Sequence, residues 1–138
     1  MKLLPATVAV LALMMPGAAF AVDDRCPIQA LDSETIAKGI KDAPTCDASL
    51  KLFERCNFGS GADTELGEIV TQKCEALFEG KLSSQQQRAY ARAIKVCNTK
   101  YARESGTMYR AFEASCRAQA AHRTAAPFSS LAPKPQPK

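Results

Sequence analysis

Six cysteines, Cys26, Cys46, Cys56, Cys74, Cys97 and Cys116, all lie downstream of a stretch that reads as a removable export leader, and this constrains the fold more than any other feature. Residues 1–21 carry Lys2, an apolar run through Leu13, Met14 and Met15, a Pro16-Gly17 break and the small-residue end Ala19-Phe20-Ala21. That is the pattern of a secretory signal peptide cut after Ala21, too short and wrongly flanked for a membrane span. No later stretch approaches the apolar length of about 18 residues that a spanning helix needs. The expected protein is therefore soluble, periplasmic or secreted, and its cysteines are paired as disulfides in an oxidising compartment. Neither a C-x-x-C redox pair nor a zinc-ligand spacing occurs, so no metal or cofactor is expected.

Cleavage leaves 117 of the 138 residues, the size of one domain. The chain has no Trp and few aromatics, so its core is thin. A cross-link adds about 2–4 kcal/mol by restricting the unfolded chain, enough for three of them to decide whether such a domain folds.

No run alternates with period two, whereas apolar residues recur at helical spacing, and the reading is all-α: four to five helices in small disulfide-stapled antiparallel hairpins. Residues 22–45 form an N-terminal arm and a short helix, from about Ser33 to Lys41, capped by Asp32 or Ser33 and closed by Pro44. Residues 46–124 form the helical disulfide domain, and 125–138 a proline-rich disordered tail. Within the domain a helix runs from Cys46 to about Phe58, with Cys46, Leu50, Phe53 and Cys56 on one face. The next runs from an Asp63 N-cap to Gly80, and the next opens with Ser83 or Ser84, each followed three residues later by the glutamine of a capping box. The last begins at Thr107, with Met108, Phe112 and Cys116 expected inside and Arg110 and Arg117 outside.

Six cysteines allow fifteen pairings, and helical geometry narrows them. Two positions in an antiparallel hairpin lie level when they are equally far from the turn, at about 1.5 Å per residue, and a disulfide needs Cα atoms roughly 4.4–6.8 Å apart. About the Ser60-Gly61 turn, Cys46 and Cys74 are level to about 1.5 Å. About Ser105-Gly106, Cys97 and Cys116 are level to about 3 Å, whereas Cys74 and Cys97 would be offset by about 13 Å. The expected bridges are Cys46–Cys74 and Cys97–Cys116, with Cys26–Cys56 left to tie down the arm.

Charge is divided along the chain. Val22 to Gly80 holds twelve acids and six bases, whereas Lys81 to Lys138 holds eleven bases and two acids. The acids Glu65, Glu68, Glu75 and Glu79 share one side of their helix, a surface that could be steered onto a basic protein partner. The bases Arg88, Arg92 and Lys95, with Arg110 and Arg117 on the following helix, form the opposite candidate, a site for an envelope polyanion. Nucleic acid is not an expected partner, since export removes the chain from the cytoplasm and no aromatic platform interleaves the charges. An enzyme is not expected either. The sole histidine, His122, is read as complementing the end of the last helix, and Glu104 and Glu113 as surface carboxylates.

The segment Leu82 to Tyr90 (LSSQQQRAY), followed by Cys97, Gly106-Thr107, Cys116 and Arg123, resembles the C-terminal hairpin of the LprI-type lysozyme inhibitor family. Cys46 to Phe78 looks like that family's front half. The chain departs from the pattern where Tyr90 replaces a tryptophan, in the Cys46 to Cys56 spacing, and in possessing Cys74. The resemblance implies a small exported helical protein without enzymatic activity, which binds a lysozyme or other cell-wall hydrolase and blocks it by steric occlusion.

Overall fold

The computed structural model describes residues 25–29 and 32–131, which form five α-helices and one 3-10 helix with no strand among them. The helices are α1 (Ser33–Asp42), α2 (Cys46–Cys56), α3 (Ala62–Phe78), α4 (Ser84–Lys100) and α5 (Thr107–Ala125). None is long and apolar enough to cross a membrane. The leader and the segment 132–138 lie outside the described residues.

Local chemistry sets the helix starts. Asp32 accepts the Thr35 N–H at 2.8 Å to begin α1, and Thr45 accepts the Ala48 N–H at 3.0 Å to begin α2. At α4 the capping box closes on Ser83 rather than Ser84, Ser83 Oγ accepting from the Gln86 N–H and Gln86 Oε1 from the Ser83 N–H. Gly80, at φ +69°, turns the chain after α3 in the left-handed region that glycine adopts without a steric cost.

The start of α3 differs from the sequence reading. Its N-cap position is Gly61, which offers no side-chain bond, and Asp63 lies inside the first turn, almost wholly buried. Its carboxylate instead accepts the N–H groups of Phe58 at 2.8 Å and Ser60 at 3.0 Å. The tight Gly59-Ser60-Gly61 turn leaves those amides without helical partners, and a carboxylate at a helix start satisfies them where the helix dipole also favours negative charge.

Helix α3 is the hub, packing against α5, α1 and α2, whereas α4 packs chiefly on α5. Ile36 and Ile40 of α1, Leu50 and Phe53 of α2, and Leu66, Val70 and Phe78 of α3 make up the core with Cys46, Cys56, Cys74 and the inner alanines of α5. The hairpins α2–α3 and α4–α5 are joined side by side through α3 and α5. Gly61 lies against Thr107, Gly67 against Ala114, and Phe78 against Phe128, so the two helices run parallel.

The inner face of α5 corrects the sequence reading. Ala111, Ala114, Ala118, Ala121 and Ala125 are buried, while Met108 and Phe112 are 46% and 42% exposed. Arg110 and Arg117, expected outside, are half-buried. The cause is the distance between α3 and α5. A Cβ on Gly67 would sit 2.9 Å from the Ala114 Cβ and 3.1 Å from its backbone, a separation that only glycine and alanine allow. The chain beyond α5 differs too. Ala126–Leu131, expected to be disordered, form a 3-10 helix whose Phe128 ring lies 6.4 Å from that of Phe78.

Three disulfides staple this arrangement: Cys26–Cys56, Cys46–Cys74 and Cys97–Cys116, with Cα separations of 4.7, 4.9 and 5.6 Å. Helical register leads one to expect Cys46–Cys74 and Cys97–Cys116, and Cys26–Cys56 is the pair that then remains for the arm. The last differs from the others in its setting, joining the otherwise lightly packed α4 to α5.

Candidate interaction surfaces

The acidic candidates differ in their surroundings. Glu68 faces Arg117 of α5, with 3.4 Å between Oε2 and Nη2, and also accepts from Gln72 at 3.1 Å. Glu75 accepts the Tyr90 hydroxyl at 2.6 Å. Burial pushes the Tyr90 phenol well above its usual pKa, and the bond to Glu75 raises it further, so Tyr90 remains a donor throughout the physiological range. These two carboxylates join α3 to α4 and α5. Glu65 and Glu79 remain exposed, and Glu65 borders an open groove between α1 and α3 lined also by Lys38, Lys41, Ile69 and Lys73.

The basic candidates divide in the same way. Arg110 is held within the α4–α5 end, with Nη1 2.6 Å from Glu113 and Nη2 donating to the carbonyls of Tyr101 at 2.6 Å and Glu104 at 3.3 Å. Arg117 pairs with Glu68, both side chains partly exposed. Arg88, Arg92 and Lys95 are exposed on α4, a helix without a single acidic residue. At 100° and 1.5 Å per residue they share one stripe about 10 Å long. From Lys81 to Arg103 the chain holds six bases and no acid.

His122 bridges helices as well as sitting in the last turn of α5. Its Nε2 lies 3.2 Å from Asp47 of α2, and Asp47 also pairs with Lys51 at 2.8 Å. The Lys51 bond, with a smaller contribution from His122, holds the Asp47 carboxyl below its usual pKa. Stability from this contact is therefore present above the ordinary aspartate pKa and is lost as pH falls through the depressed value. With Asp47 half exposed, the effect is small. Among the described residues no group of three His, Cys, Asp or Glu side chains is placed to hold a metal.

No protein-family model, curated protein or solved structure matches this chain. The surfaces themselves are what bears on function.

One surface was missed at the sequence level. The rings of Tyr101, Tyr109 and Phe112 gather at the free end of the α4–α5 hairpin, with centroids 6.0 to 6.4 Å apart. The steps 101, 109 and 112 cross a loop, so helical periodicity does not reveal them as neighbours. The alanine steps 111, 114, 118, 121 and 125 did carry a signal, because a three-four repeat of small residues marks the inner face and leaves Phe112 on another.

Proposed function

We propose that the protein is an exported, non-catalytic binding module of the bacterial periplasm whose working surface is the outer face of α4, recognising an envelope polyanion. The observation that carries this reading is the division of the arginines. Arg110 and Arg117 pair with Glu113 and Glu68 of the same molecule, while Arg88, Arg92 and Lys95 are exposed on a helix that carries no acid. Fixed cations of one sign, spaced along a rigid rod, attract a polyanion more strongly than a mixed surface does. The Cys97–Cys116 bridge holds that rod to the rest of the molecule. Disulfides throughout fit the oxidising compartment to which a leader would deliver the chain.

A second reading is favoured by the exposure of Glu65 and Glu79 together with the resemblance to the lysozyme inhibitors: occlusion of a basic hydrolase by the α3 side of the molecule. The two readings separate in one pair of assays. Immobilised lipopolysaccharide is expected to bind the oxidised protein at low salt. An Arg88→Glu/Arg92→Glu variant should bind at least about tenfold more weakly, each basic group near an anionic surface contributing about 1 kcal/mol. Glu65→Lys/Glu79→Lys should leave this binding intact or strengthen it. Equal binding by the arginine variant overturns the polyanion reading. Inhibition of lysozyme by the wild type, relieved only by the Glu65→Lys/Glu79→Lys pair, establishes the second.

A further inference from the structure

We infer that the free end of the α4–α5 hairpin docks on the surface of an anionic phospholipid bilayer, with Met108, Phe112 and the Tyr101 and Tyr109 rings entering the headgroup boundary. This deepens the polyanion reading, and rests on it for the charge that brings the protein to the membrane.

The first observation is an inversion on α5. The helix buries alanine after alanine and turns its larger apolar side chains, Met108 and Phe112, outward. Single exposed apolar residues are common on a monomer, but a contiguous apolar patch held outside by the fold marks an interaction surface. Met108 and Phe112 lie one turn apart on the same face. Phe112 in turn lies 6.0 Å from the Tyr101 ring and 6.3 Å from the Tyr109 ring, so the exposed apolar surface is contiguous. Phe58, 41% exposed, belongs to the same end, because its turn reaches α5 where Gly61 meets Thr107.

The second observation is rigidity. Arg110 grips the carbonyls of Tyr101 and Glu104, and the Cys97–Cys116 bridge closes the hairpin behind them. The rings are thus held in place before any partner arrives, which lowers the entropy cost of docking.

The third is the collar. The Lys100 ammonium sits 5.1 Å over the Tyr101 ring, with exposed Lys95 and Arg103 nearby in sequence. Glu104 is the one carboxylate in the loop 101–106. Aromatic side chains with polar tips, with a lysine over one ring and further bases close along the chain, match the bilayer interface, where rings settle at headgroup depth and cations meet lipid phosphates. A protein partner would need carboxylates facing each cation, whereas an anionic bilayer presents negative charge at any orientation of the hairpin.

The test uses the oxidised mature protein with vesicles of phosphatidylcholine alone or containing phosphatidylglycerol. Binding to the anionic vesicles is expected, with tyrosine emission quenched by brominated acyl chains, since two of the three tyrosines lie at this end. Met108→Ser/Phe112→Ser, whose side chains are already exposed, should keep native helicity and lose at least about tenfold in vesicle affinity together with the quenching. Arg88→Glu/Arg92→Glu should weaken binding in a salt-sensitive way. Wild-type binding that the serine pair leaves unchanged would overturn insertion of the tip while leaving the basic face standing. A wild type that binds lipopolysaccharide but ignores phosphatidylglycerol vesicles would overturn the membrane assignment and point to another partner. Loss of lipopolysaccharide binding with retained, tip-dependent vesicle binding would remove the polyanion reading alone.

Discussion

Replacing Cys46 and Cys74 together by alanine is expected to lower the unfolding free energy by about 3–4 kcal/mol, measured by denaturant titration of the oxidised protein and the double variant. The bridge spans 28 residues, and closing a loop of that size removes conformational entropy from the unfolded chain on this scale. Both sulfurs are buried in the centre of the core, so their loss also leaves a small void between α2 and α3. The bridge joins the beginning of α2 to the last third of α3, far from the Ser60-Gly61 turn, which leaves the turn to hold one end of the hairpin and the disulfide the other. A domain whose inner α5 face is alanine buries little apolar area there to offset the loss. The variant should remain helical at low temperature and melt substantially below the parent. A change under about 1 kcal/mol would show that packing alone fixes the hairpin.

Gly67→Ala is expected to destabilise the protein by about 1–2 kcal/mol, the opposite of the usual outcome. In an exposed helix interior the same change stabilises by up to about 1 kcal/mol, because alanine is the better helix former. Here the new methyl would lie 2.9 Å from the Ala114 Cβ and 3.1 Å from its backbone carbon and oxygen. Backbone of a neighbouring helix cannot swing aside, so α3 and α5 must separate along their length, and overpacking of this kind costs about 1–3 kcal/mol. An Ala114→Gly substitution in the same background should recover part of the loss. Thermal melts of the single and double variants check the pair, and a stabilised Gly67→Ala would contradict the close parallel seam.

Much of this architecture was legible in the chain. Cap residues such as Asp32, Thr45 and Ser83 act over three positions, and the level arguments that pair Cys46 with Cys74 and Cys97 with Cys116 need only helix rise and a turn position. The readings that needed correction share a physical cause, namely contacts between segments distant in sequence. Met108 and Phe112 outrank alanine on any hydrophobicity scale, yet the approach of Gly67 admits only small side chains on α5. Asp63 sits where an N-cap is expected, but the amides of the preceding turn claim its carboxylate. Glu68 and Arg117 are 49 positions apart, and nothing local marks them as partners rather than as members of two opposed surface stripes. The proline at position 127 suggested an unstructured tail, and the attraction of Phe128 to Phe78 prevails over it in the stretch 126–131.

Each candidate surface is presented by helices joined by the same three cross-links. Peptide mapping of the oxidised protein without reduction tests that pairing most directly. The expected fragments join Cys26 to Cys56, Cys46 to Cys74 and Cys97 to Cys116, with no thiol left to alkylate. A fragment joining Cys74 to Cys97, or free thiols at Cys97 and Cys116, would contradict the helix arrangement and the surfaces built upon it.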